Sequence, residues 1–120
     1  MRYSVLALSF VLLSSAAMAA SEDEIMSTRY GNTLIVKDMF GTSRVYYSKD
    51  HSFKAASWLG DVTGHWKMED GKMCLYAEQY PALYRLKYSI PECDPIAPRK
   101  VGEKWDENGR HYELVQGIQN

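Results

Sequence analysis

The stretch Val62 to Leu75, V-T-G-H-W-K-M-E-D-G-K-M-C-L, constrains the fold of this chain more than any other. Asp70-Gly71 is its turn signal: a two-residue turn of the primed type needs positive φ, which Asp-Gly tolerates. Both arms alternate. Val62, Gly64, Trp66 and Met68 share one face of the first arm, and Thr63, His65 and Lys67 share the other. On the second arm Met73, Leu75 and Ala77 fall together, opposite Cys74, Tyr76 and Glu78. The pattern predicts a β-hairpin with Trp66 as a core plug, since aromatic side chains dominate small cores. Gly64 leaves room for the indole to lie across it.

The chain before this hairpin opens on an address. Met1 and Arg2 form a basic start, Val5 to Leu13 is an apolar run, and Ala17-Met18-Ala19 supplies small-x-small. These are the parts of a secretory signal peptide, assigned to residues 1–20. The run is too short for a comfortable membrane span. A soluble exported protein, periplasmic or secreted from a bacterium, is expected, with no membrane span after cleavage.

About 100 residues remain, enough for one small domain. The formal charge of −1 becomes about −2 once Arg2 is gone, so attraction to polyanions or anionic membranes is not indicated. A domain this small often needs a covalent staple. Cys74 and Cys93 are the two cysteines, and an exported chain meets an oxidising compartment, so a single disulfide is expected. It would close a loop of about 20 residues and contribute roughly 3 kcal/mol in the chain-entropy model. No C-x-x-C pair is present, and two cysteines with three scattered histidines give no zinc spacing. No metal or cofactor is expected.

Residues 21–31 form an N-terminal segment in which Ser21 and Glu24 make a candidate capping box and Gly31 a stop, so a short helix or a frayed acidic end is expected. A single β domain follows over residues 32–117. Strands are expected at Asn32 to Lys37, Thr42 to Tyr47 and Ser52 to Ser57, then the hairpin, with turn signals every eight to twelve residues. Pro81 forbids one helix along the series Tyr76, Tyr80, Tyr84 and Tyr88. A helical turn over Ala82 to Leu86 and a strand over Leu83 to Ile90 both stay open. Pro91, Pro95 and Pro98 then mark a loop holding Cys93, and Val101 to Trp105 pairs with Arg110 to Gln116 across Asp106-Glu107-Asn108-Gly109. The expected architecture is mainly β: one small antiparallel meander of about seven or eight short strands, a partly closed barrel or curled sheet. Leu34, Val36, Phe53 and Trp66 are its expected core.

Gly31-Asn32-Thr33, Gly64-x-Trp66, Asp70-Gly71-Lys72-Met73-Cys74, Cys93 and Gly102-Glu103-Lys104-Trp105 together resemble a group of small exported proteins of Gram-negative, mainly alphaproteobacterial, bacteria. That group has no assigned activity. The resemblance implies a compact disulfide-linked β domain and brings no catalytic or ligand residues with it.

No catalytic residue is assigned. His51, His65 and His111 each lie near acids, but no Ser or Cys sits in a nucleophile motif, and surface roles are expected for all three. A paired-carboxylate glycosidase needs a cleft that so small a domain hardly offers. No phosphate loop, EF-hand or HExxH pattern occurs, and the basic residues make no stripe for nucleic acid. What stands out is nine Tyr and three Trp. Tyr46, Tyr76, Tyr80, Tyr84 and Tyr88 cannot all be core if the strands alternate, and exposed tyrosine suits contact with a partner. The leading expectation is a non-enzymatic envelope protein that acts as an interaction module through these tyrosines, with another envelope protein as partner. The alternative is a small calycin-like barrel that holds an apolar or aromatic ligand. An internal cavity lined by Leu34, Val36, Phe53 and Trp66 would favour the alternative.

Overall fold

A computed structural model describes residues 20–120, so nearly all of the expected signal peptide lies outside the described residues. The domain begins with helix α1 (Glu22–Met26), whose capping box is complete. Ser21 Oγ accepts from the Glu24 amide at 3.1 Å, and Glu24 Oε1 accepts from the Ser21 amide at 2.8 Å. Ile25 and Met26 are buried, so this short helix is held by packing as well as by its cap.

Eight antiparallel strands follow: β1 (Thr33–Asp38), β2 (Gly41–Tyr47), β3 (Ser52–Ser57), β4 (Gly60–Glu69), β5 (Lys72–Gln79), β6 (Glu92–Pro95), β7 (Lys104–Glu107) and β8 (Arg110–Val115). A single short helix, α2 (Tyr84–Lys87), interrupts them after β5. The strands form one sheet in the order β6-β5-β4-β3-β2-β1-β8-β7, curled into a half-barrel. Six strands follow one another as a meander, and the last hairpin returns so that β8 pairs with β1. The mainly β meander read from the turn cadence is therefore the fold.

Alternation explains which side is inside. Leu114, Leu34, Val45, Ala55 and Val62 stand opposite one another across five strands and share the concave face. Leu34, Phe53 and Trp66 are buried; Val36 is partly buried and packs against that core. Below this row, α1 and Trp66 plug one end of the half-barrel. Trp66 has no exposure, donates its indole N–H to the Ser48 carbonyl at 3.1 Å, and stacks on His51 at a centroid distance of 3.8 Å.

The β4–β5 turn is the predicted two-residue one, with φ of 53° at Asp70 and 76° at Gly71. Gly64 plays a different part from the one expected. A Cβ there would meet the Tyr76 carbonyl oxygen at 2.0 Å, so the space it leaves is taken by the β5 backbone and not by the indole. The cause is a bulge at Thr63/Gly64 that brings β5 against β4.

The loop around Cys93 and the start of the last hairpin fold otherwise than their sequence suggested. The proline-punctuated loop holds strand β6, with Cys93 directly opposite Cys74, and the two are disulfide-bonded with Cα atoms 4.0 Å apart. Proline is tolerated there because β6 is an edge strand and Pro95 is its last residue. Between Leu83 and Ile90, the helical alternative forms as α2. Strand β7 begins only at Lys104, because Gly102 at φ 95° breaks the extended run from Val101.

Candidate functional site: the interior of the half-barrel

The concave face is not filled along its whole length. In one row of facing positions, Tyr112, Val36, Ser43 and Ser57 stand opposite one another across β8, β1, β2 and β3. Serine at two of these positions and Ala55 in the row below project little volume inward. The space they leave is a cavity of about 130 Å³, with Leu34, Val45, Phe53, Val62, Met73 and Leu75 among its walls. Trp66 is absent from the lining; it packs below, as part of the plug.

The cavity reaches toward the seam between the two sheet edges, β6 and β7, which are not hydrogen-bonded to each other. Glu92 and Asp94 from one edge and Trp105 and Glu107 from the other line it there. Arg110 spans the seam. It donates to Glu92 and, at 3.1 Å, to Asp94, while the Asn108 amide donates to Asp94 at 3.2 Å. Burial opposes the charge on Arg110, but Glu92 and Asp94 outweigh it and raise its pKa. Burial also raises Glu92, and Arg110 offsets only part of that. The clasp therefore holds two edges together at the cost of a buried carboxylate.

The other end carries the strand connections and α2. Tyr84 is buried, and burial pushes its phenol up to about 12. Tyr88 donates to Asp38 at 2.8 Å and stacks edge-on against Phe40, and burial with this bond raises its pKa. Both line the cavity. Outside them, Met39, Trp58, Leu83 and Leu86 are exposed. Trp58 donates its indole N–H to the Phe40 carbonyl, and Pro81 packs at Gly60, so these connections form one apolar end.

The five tyrosines read from sequence as one partner surface are thus divided. Tyr84 and Tyr88 turn inward over the cavity. Tyr80 is exposed beside Tyr84, at a ring distance of 5.5 Å. Tyr46 and Tyr76 lie on the convex face, on β2 and β5, with β3 and β4 between them. The Tyr46 hydroxyl donates to the Gln119 carbonyl of the C-terminal tail at 2.5 Å, and Tyr76 donates to Glu69 at 2.6 Å.

Each histidine does meet an acid. His51 meets Glu22 at 2.8 Å, His65 meets Glu78 at 2.7 Å and His111 meets Asp106 at 2.5 Å. None of these pairs borders the cavity. His65 stacks flat on Tyr76 on the convex face, and His111 and Asp106 are both well exposed. Among the described residues no group of three or more His, Cys, Asp or Glu is placed to hold a metal ion. No described helix is long and apolar enough to cross a membrane.

Sequence reading missed Arg29, Tyr47, Glu92, Asp94, Arg110 and Tyr112, all of which line the cavity. For β8 a signal existed: Arg110 and Tyr112 share the face of Leu114, so a charge on a core-directed face was visible from the spacing. Glu92 and Asp94 carry no such signal, because Pro91, Pro95 and Pro98 make their segment read as a loop.

No protein-family model, curated protein or solved structure matches the chain.

Proposed function

We propose that this is an exported, non-enzymatic protein that binds a small apolar or aromatic molecule inside its curled sheet. The observation that carries the reading is the cavity of about 130 Å³ behind Leu34, Val36 and Phe53. An apolar cavity of about 150 Å³ is enough to take a benzene ring, so the ligand is small. The seam supplies a way in that needs no break in a hydrogen-bonded ladder. The disulfide supports export, because such bonds persist in oxidising compartments. None of the three His–acid pairs borders the cavity, and no nucleophile motif accompanies them, so the cavity is read as a binding site.

The test is a thermal shift of the oxidised protein with toluene or benzyl alcohol. A ligand that binds only the folded state raises Tm with concentration. Val36→Phe, which fills the cavity from its wall, should abolish the shift. Equal shifts in wild type and Val36→Phe would discard the reading.

A second reading, docking on another envelope protein, moves from the tyrosines to the apolar end. There Met39, Trp58, Leu83 and Leu86 are exposed together. The double variant Trp58→Ser, Leu86→Ser should lose a partner that wild type retains from envelope extract, with toluene binding intact. No difference between the two would discard it.

A further inference from the structure

The cavity contains a cation that the fold does not neutralise. Arg29 is 3% exposed and lines the cavity. It follows α1, and its guanidinium donates to two carbonyls: Nη1 to Ile25 at 2.5 Å and Nη2 to Ala97 at 3.2 Å. Its Nε is buried without a partner, and it makes no ion pair among the described residues. A guanidinium has five N–H donors, so two carbonyls leave most of its capacity unused. Burial pulls its pKa down, yet arginine keeps its proton in proteins.

The neighbouring charges do not supply a counterion. Arg99 is close enough to repel, and it is held by Glu103 at 2.9 Å. Glu103 and Glu107 attract Arg29, each more weakly than Arg99 repels it. Asp38 accepts from Tyr88, and Glu92 and Asp94 are clasped by Arg110. Glu107 is half-buried on the edge strand β7, at the seam. Tyr47 is buried near Arg29, and burial pushes its phenol up to about 12, so at neutral pH it is a neutral donor and not a countercharge. A buried charge without a partner is costly, and an anion arriving in the cavity would recover part of that cost.

We propose that the cavity takes a small carboxylate, aromatic or short and branched, about the size of benzoate, with its acid group on Arg29 and its apolar body against Leu34, Val45, Phe53 and Val62. The inference rests on the ligand-binding reading and adds the chemical class of the ligand. Carboxylate and guanidinium meet through two parallel N–H···O bonds, a geometry that a neutral alcohol cannot supply. Size sets the other limit: a long fatty chain exceeds a cavity of about 130 Å³.

The test titrates the oxidised protein at pH 7 with sodium benzoate and with benzyl alcohol, followed by calorimetry or by amide chemical shifts. Wild type should bind benzoate at least about tenfold more tightly than the alcohol. Arg29→Gln should remove that preference, so that benzoate binds no more tightly than benzyl alcohol. Arg29→Lys, which keeps the charge, should retain part of the preference. Equal binding of both probes by wild type overturns this inference and leaves the ligand-binding reading standing. Binding of neither probe, with no shift from toluene, overturns both. Because Arg29 also ties Ile25 to Ala97, the wild-type contrast and Arg29→Lys decide where Arg29→Gln does not fold.

Discussion

The two hairpins β4–β5 and β7–β8 begin from the same local instructions and end in different places. Each carries a tryptophan on its first arm and closes through a two-residue turn with positive φ at both positions. These are Asp70 and Gly71 in the first, at 53° and 76°, and Asn108 and Gly109 in the second, at 53° and 75°. Trp66 is wholly buried, while Trp105 is partly exposed, stacked on Tyr112 and in contact with the Arg99 guanidinium. The first hairpin has a strand on either side and a disulfide to β6. The second ends the sheet, so β7 has an open edge and meets the opposite edge only through side chains. Turn chemistry makes a hairpin; position in the sheet decides whether its aromatic becomes core or gatepost.

The largest effects should separate the two tryptophans. Trp66→Ala should cost about 4 kcal/mol in denaturant unfolding, within the range for a large buried aromatic. Trp105→Ala should cost about 1 kcal/mol, because its ring is partly in water already. Comparable losses would mean that the seam is as tightly packed as the plug, and would break the contrast. Next comes Gly64→Ala, expected to cost about 3 kcal/mol because the new methyl meets backbone that cannot move aside. Unfolding midpoints at constant m-value check both. Reduction of Cys74–Cys93, which are 19 residues apart, should cost roughly as much, about 3 kcal/mol, measured with and without reductant. Alkylatable thiols in the unreduced protein would contradict the bond itself.

The seam has a pH signature. Burial raises the Glu92 pKa in the fold, so its favourable contribution is complete below the unfolded carboxylate value of about 4.3 and is lost as pH rises. Arg110 offsets part of that loss. Arg110→Ala should therefore be nearly as stable as wild type at pH 4 and about 2 kcal/mol weaker by pH 7, less than for a fully buried pair. A deficit independent of pH would assign Arg110 a packing role alone. The smallest effects should make the hairpins equal again. Gly71→Ala and Gly109→Ala should each cost about 1 kcal/mol, since each places a Cβ in the left-handed region. A clear difference between them would show that the turns are not equivalent.

Much of this was legible in the chain, and the rest was hidden for identifiable reasons. Period-two alternation identified the inward face of β4 and β5, and Asp-Gly and Asn-Gly marked the turns. The two cysteines read as a pair, but the segment that forms β6 reads as a loop, because three prolines look like punctuation unless the strand is known to lie at an edge. Strand alternation cannot bury all of Tyr46, Tyr76, Tyr80, Tyr84 and Tyr88, and that alone makes them read as one surface. Pro81 and α2 turn Tyr84 and Tyr88 inward instead, over a space that exists only once the sheet has curled. His51 reads as a turn residue and does lie in the β2–β3 connection; that it stacks on Trp66 of β4 is a contact no local pattern records.

By itself, the sequence determined the local alphabet: the capped start at Ser21, the strands with their inward faces, the two primed turns and one pair of cysteines. These depend on residues within a few positions of one another, where backbone sterics and side-chain alternation decide. Only the tertiary structure decided that the sheet curls without closing, that Ser43, Ala55 and Ser57 meet and leave a cavity, and that Arg29 is buried in its wall without a counterion among the described residues. Those features depend on strand register and on contacts between residues as far apart as Arg29 and Ala97. No local pattern records what a residue will face across a folded sheet.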